Sequence, residues 1–117
     1  MPTGITLPRD SRALAVAAMV LDNPGHRWPF AELCRSAGAS VRTIQRAYKR
    51  EVGQDFESWR QQVRLMRAVH LLVAGRSVKE IAYAVGYRDP SSFVALFHST
   101  FGQTPKAWTL NLRSRWE

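Results

Sequence analysis

The sequence predicts an all-α fold of about seven helices, and three observations carry that expectation. No segment alternates apolar and polar residues with the period of two that a half-buried strand needs. Apolar residues instead recur at i, i+3, i+4 and i+7, between residues that cap or stop helices. The third observation is an internal repeat. Residues 44–59, IQRAYKREVGQDFESW, align with residues 93–108, FVALFHSTFGQTPKAW, at a constant offset of 49.

The elements follow in order. The first ten residues, MPTGITLPRD, hold two prolines and a glycine and read as a flexible tail or linker. The first helix is expected over residues 11–22, with Leu14, Ala17, Ala18 and Leu21 as its buried stripe, and Asn23-Pro24-Gly25 ends it. Pro29 opens a short helix, FAELCRSAG, that stops at Gly38. Ser40 caps the next helix, SVRTIQRAYKRE, which gives out at Gly53. Asp55 caps the longest one, FESWRQQVRLMRAVHLLVA, closed by Gly75. Ser77 with Glu80 fits a capping box, and that helix ends at Gly86. Asp89-Pro90 joins a cap to a first-turn proline for a helix reaching Gly102. Thr104-Pro105 repeats the device for a last short helix through Trp108.

The repeat identifies the supersecondary unit. Ile44 matches Phe93, Tyr48 matches Phe97, Gly53-Gln54 matches Gly102-Gln103, and Trp59 matches Trp108. Upstream, Leu33-Cys34 and Gly38 match Ile81-Ala82 and Gly86 at an offset of 48. Each copy is therefore a helix with a small residue, a glycine four positions on, a brief turn and a second helix, which is the helix-turn-helix pattern. The small residue lets the second helix cross closely, and the glycine supplies a left-handed turn. The expected organisation is a first subdomain over residues 11–54, a linker helix over 55–75, a second subdomain over 76–112 and a C-terminal tail over 113–117. The linker's nineteen residues span roughly 28 Å, of the order of the ~34 Å that separates successive major grooves on one face of B-DNA.

Charge narrows the function. Seventeen Lys plus Arg against nine Asp plus Glu leave a net charge of +8, and fourteen of the seventeen cations are arginine. Such a chain attracts polyanions, and arginine suits bidentate contact with phosphate and guanine. One cysteine, Cys34, excludes an internal disulfide and fits a reducing, cytoplasmic setting. The apolar run ALAVAAMVL is too short to span a bilayer and reads as a core helix. No paired carboxylates, phosphate-cradling loop, Ser/His/Asp set or metal-ligand spacing points to an enzyme or a cofactor. His26, His70 and His98 are scattered, and Cys34 fills a packing slot.

The pattern Arg64-Leu65-x-x-Ala68-x-x-Leu71-Leu72, followed by Ile81-Ala82-x-x-x-Gly86-Tyr87-x-Asp89-x-Ser91-x-Phe93-x-x-x-Phe97-x-x-x-Phe101-Gly102-x-Thr104-Pro105, resembles the AraC/XylS family of bacterial transcription regulators. The resemblance spans about residues 11–110. It implies two helix-turn-helix units that dock on adjacent major grooves of double-stranded DNA to activate or repress transcription, with RNA polymerase as a partner. It also implies an N-terminal sensing domain in many members; the tail MPTGITLPRD holds nothing of that kind, and the domain itself is expected to be a monomer.

In the first unit the exposed arc offers Arg42, Thr43, Gln45 and Arg46 for base contact, with the family's reading positions falling on 42, 45 and 46. Arginine meets guanine O6/N7 and glutamine meets adenine N6/N7. Lys49 and Arg50, further along, fall to phosphate. The second unit offers Ser91, Val94, Ala95 and His98. Ser91 and Ala95 are its candidate base contacts, Ala95 by apolar contact with a thymine methyl, whereas Ser92 and His98 would meet phosphate. The units should therefore be asymmetric, the first reading sequence and the second mainly clamping backbone. Arg60, Arg64 and Arg67 form one stripe on the linker helix; Arg64, where the family carries an arginine, would brace the units or reach phosphate. Glu51 falls on the apolar side of its helix, with an arginine ion pair as the available account. A basic helical module for RNA or for an acidic protein is the alternative reading.

Overall fold

The computed structural model describes residues 4–116 of the chain, the last two of these as backbone. Seven helices follow in order: α1 (Ser11–Asp22), α2 (Phe30–Ser36), α3 (Val41–Glu51), α4 (Phe56–Val73), α5 (Val78–Ala84), α6 (Pro90–Phe101) and α7 (Pro105–Trp116). No strand occurs among the described residues, so the all-α expectation holds. The caps are those the sequence offers. The Ser40 hydroxyl accepts from Thr43 N–H at 3.1 Å, Asp55 from Ser58 N–H at 2.8 Å and Thr104 from Ala107 N–H at 3.1 Å. Ser77 and Glu80 form a reciprocal capping box. Each bond satisfies an amide that the helix cannot pair internally.

The chain divides into two compact units at Val63/Arg64, within α4. In the first, Val16, Leu33, Ile44, Tyr48, Phe56 and Trp59 form the heart of one core. The Tyr48 and Phe56 rings meet edge to face at 5.4 Å, and Phe30 stacks on Phe56 at 4.3 Å. In the second, Leu72, Ile81, Val85, Phe93 and Phe97 play the same part, and Phe97 packs against Phe101 at 4.5 Å. The repeat reappears in burial: Ile44 and Phe93, Tyr48 and Phe97, and Cys34 and Ala82 all lie inside their own cores.

The turn glycines behave as their position requires. Gly38 has φ +73° and Gly86 has φ +95°. A Cβ at Gly38 would meet nothing within 4 Å, so Gly38→Ala adds backbone strain without a clash. It should lower stability by about 1–2 kcal/mol, read as a shifted denaturant midpoint, and Gly38→Asn should cost less.

Three expectations change. The buried stripe of α1 is Ala13, Val16, Ala17 and Val20; Leu14 and Leu21 are 41% and 43% exposed and Ala18 is exposed. Both stripes have helical spacing, and only packing on α2 and α3 selects between them. Helix α7 does not stop at Trp108 but continues to Trp116, through most of the predicted C-terminal tail. No glycine or proline after Pro105 interrupts it, and the Asn111 side chain donates to Gln103 at 2.5 Å. The leading segment, expected to be a free tail, is tied down: Ile5 packs on the first core, Pro8 is buried and the Trp59 indole N–H donates to Thr6 O at 2.8 Å. Residues 1–3 and 117 of the expected tails lie outside the described residues.

Candidate nucleic-acid interface

Helix α3 is built as a two-faced element. Ile44, Ala47 and Tyr48 are buried, and the Tyr48 hydroxyl donates to Ala13 O at 3.3 Å. That burial pushes the Tyr48 phenol far above its ordinary pKa, so it stays a neutral donor. The opposite arc leaves Arg42, Gln45, Arg46, Lys49 and Arg50 exposed, and the last four line one shallow depression. Arg42 and Arg46 pair with no carboxylate among the described residues. Lys49 lies in the field of Asp55. Thr43 is half-buried, and its Oγ1 accepts from the Ser40 hydroxyl at 2.9 Å as part of the cap. Arg50 is held by Glu51 Oε2 at 3.1 Å. The open cationic reach of α3 therefore centres on Arg42, Arg46 and Lys49.

Helix α6 differs in kind. It carries no lysine or arginine. Ala95 and His98 are exposed, but Val94, expected on the open arc, is half-buried against the second core. The first turn is already occupied. Asp89 accepts from Ser91 N–H at 3.1 Å, the Ser91 hydroxyl donates to both its oxygens at 2.8 and 2.9 Å, and Ser92 Oγ donates at 3.3 Å. The Ser91 hydroxyl and then its N–H hold the Asp89 carboxyl below the ordinary aspartate range. A phosphate arriving there meets a carboxylate rather than free donors.

The arginine stripe of α4 splits by environment. Arg60 is buried, only 8% exposed. It donates to Trp28 O at 2.7 Å and to Glu57 at 2.6 Å, and its guanidinium carbon sits 4.9 Å from the centre of the Phe56 ring. It is a core bolt of the first unit. Arg64 is half-buried in the second unit, where its charge draws the Tyr87 phenol down against the larger upward push of burial. Of the three, only Arg67 is exposed. Cys34 is buried and its thiol is pushed up by desolvation, as a packing cysteine should be. No metal-binding group of His, Cys, Asp or Glu occurs among the described residues, and no described helix is long and apolar enough to cross a membrane.

Sequence reasoning missed the Asp10 cap and gave Glu51 only an arginine ion pair, which it makes with Arg50 at 3.1 Å, without its backbone donors. Asp10 caps α1, accepting from Arg12 and Ala13 N–H at 2.9 and 3.1 Å. Glu51 Oε1 accepts from Asp10 and Arg9 N–H, at 2.8 and 2.6 Å, which hold its carboxyl below the ordinary glutamate range. The signal for the Asp10 cap was present locally, in an aspartate just before a helix; that for Glu51 was not. Asp10, Glu51, Asp55 and Asp89 are all depressed below ordinary values of 3.8 for aspartate and 4.5 for glutamate. A depressed carboxyl stabilises the fold above its unfolded value and loses that effect as pH falls through the folded one. Melting temperature should thus hold from neutrality to about pH 5 and fall steadily below it, as thermal melts across that range will show.

Comparison with known proteins places these features in a family. The family model described as a helix-turn-helix domain matches residues 33–111. The transcriptional regulator RipA of Corynebacterium glutamicum is 33% identical over 103 residues, covering 88% of this chain and 31% of that protein. The regulator NimR of Escherichia coli strain K12 is 36% identical over 73 residues, covering 62% of this chain and 27% of that protein. The chain thus spans a third or less of these relatives. The solved DNA-binding domain of AdpA, in complex with a target DNA, superposes with a TM-score of 0.83 at 26% identity, covering 91% of this chain and 96% of that one. With the duplicated helix-turn-helix pattern, its buried small-residue slots and its left-handed turn glycines, the chain belongs to the AraC/XylS family of helix-turn-helix regulators.

Proposed function

We propose that the chain is a sequence-specific double-stranded DNA-binding module of a transcription regulator, with α3 as its reading helix. The observation that carries this is the surface of α3: Arg42, Gln45, Arg46 and Lys49 exposed together on one face, opposite side chains sealed in the core. Eleven residues make a helix of about 16 Å, and the B-DNA major groove, ~12 Å wide, admits one. Arg42, Gln45 and Arg46 read base edges and Lys49 meets phosphate. Thr43 and Arg50 have smaller parts, since both are engaged within the fold. Helix α6 enters a neighbouring groove and contributes little discrimination: Ala95 offers a methyl contact and His98 a phosphate contact. Ser91 and Ser92 reach DNA only by leaving Asp89. Arg64 braces the second unit.

As a monomer with two unlike units, the module should favour an asymmetric site. Its other proposed partners are RNA polymerase and an N-terminal sensing domain, and its place is the cytoplasm, where the DNA is. Selection of bound duplexes from a random pool tests this reading. The expected result is one asymmetric motif with most information in the half met by α3; preference for RNA over duplex at equal salt would overturn it. Lys49→Ala should weaken all duplexes alike and flatten the plot of log affinity against log salt by about one unit.

A further inference from the structure

Glu51 is an acidic residue in the last turn of a helix whose open face is cationic, on a chain of net charge +8. Set against a polyanion, its charge by itself opposes binding. Its carboxylate is nonetheless fully employed. Oε1 takes the consecutive N–H groups of Arg9 and Asp10 at 2.6 and 2.8 Å, and Oε2 takes Arg50 at 3.1 Å, with the side chain only 12% exposed. Those two amides belong to a segment held elsewhere on the same unit: Thr6 O by the Trp59 indole, Ile5 and Pro8 by burial, Asp10 by capping α1. Helix α3 is thus fastened twice, at Tyr48 to the Ala13 carbonyl and at Glu51 to residues 9–10. Neither fastening uses the arc of Arg42, Gln45, Arg46 and Lys49.

We propose that Glu51 is a positioning residue for DNA binding, and that residues 5–10 are a strap which, through it, fixes the C-terminal end of the reading helix. The proposal rests on α3 being that helix. Charge-assisted bonds from a carboxylate to backbone amides are among the stronger ones available, and their loss lets α3 sample placements in which its side chains miss the groove. Apparent affinity then falls by the fraction of molecules correctly placed.

The experiment measures Kd for the selected duplex, its salt slope and its base preference in the wild type, Glu51→Gln, Trp59→Phe and the double variant, with amide exchange at Arg9 and Asp10. Circular dichroism confirms that each is folded, since a loss of global stability alone leaves Kd unchanged in a folded chain. Glu51→Gln should bind about tenfold more weakly, with unchanged salt slope and base preference and with faster exchange at the two amides. Trp59→Phe, which frees Thr6 while keeping a ring, should act in the same direction. The double variant should be no weaker than the weaker single one, because both cut one strap. Charge removal alone predicts the opposite sign, so Glu51→Gln binding as tightly as wild type, or more tightly, overturns the proposal, as do additive losses. A wild-type chain that selects no duplex instead overturns the DNA reading itself, which amide exchange at residues 9 and 10 does not probe.

Discussion

Arg46→Ala should weaken the selected duplex by about 1–3 kcal/mol, roughly 5- to 150-fold in Kd, and relax discrimination at one base pair. Arg46 stands mid-helix on the exposed arc of α3, between Gln45 and Lys49, and no carboxylate among the described residues restrains it. Its guanidinium is free to present two parallel donors to guanine O6 and N7, which alanine cannot replace. Its backbone sits in a capped helix anchored by Ile44 and Tyr48, so the substitution removes the proposed reader without disturbing the fold. Arg46→Lys should recover the phosphate-like part of the loss but not the base preference, since an ammonium lacks the planar fork. Binding curves on duplexes differing at single positions will read both outcomes; equal losses on every duplex would make Arg46 a phosphate contact.

Trp59→Ala carries the largest expected effect on stability, about 3–5 kcal/mol. Trp59 is wholly buried, meets Tyr48 edge to face at 5.4 Å and Phe56 at 6.1 Å, and donates its indole N–H to Thr6 O. Alanine leaves a cavity beneath α3 and releases the strap in one step. Against a total stability of about 5–15 kcal/mol for a domain, that is enough to leave part of the population unfolded at 37 °C. Denaturant titration should show an early midpoint, and DNA affinity should fall with the folded fraction. The matching residue Trp108 is only half-buried, against Phe97 at 6.3 Å, so Trp108→Ala should cost distinctly less.

That contrast between two matched tryptophans shows how the sequence can be read and where it stops. Matching positions in the repeat share a role, but how deeply each is buried depends on what the rest of the chain lays over it. Trp59 is covered by Thr6 and its neighbours in the leading segment, a contact across fifty-three residues that no local pattern announces. Arg60 reads as one of three stripe arginines and turns out to be a bolt, because the Trp28 carbonyl comes to it from outside α4, while the Phe56 ring of its own helix lies under its guanidinium. Ser91 reads as a base contact and Ser92 as a donor awaiting a phosphate, and both already serve the Asp89 cap. That cap was legible; its appetite for both hydroxyls was not.

Helix identities, caps, the duplicated unit, the slot at Cys34 and the cationic face of α3 were determined by the sequence alone. All of these depend on interactions within four or five residues, or on a pattern repeated along the chain. Only the tertiary structure decided which of two equally spaced stripes of α1 is buried, where Glu51 finds its donors, and which arginines are left open to a partner. Those outcomes depend on groups far apart in the chain, and a helical period, being the same for either face, carries no information about which neighbour will claim it.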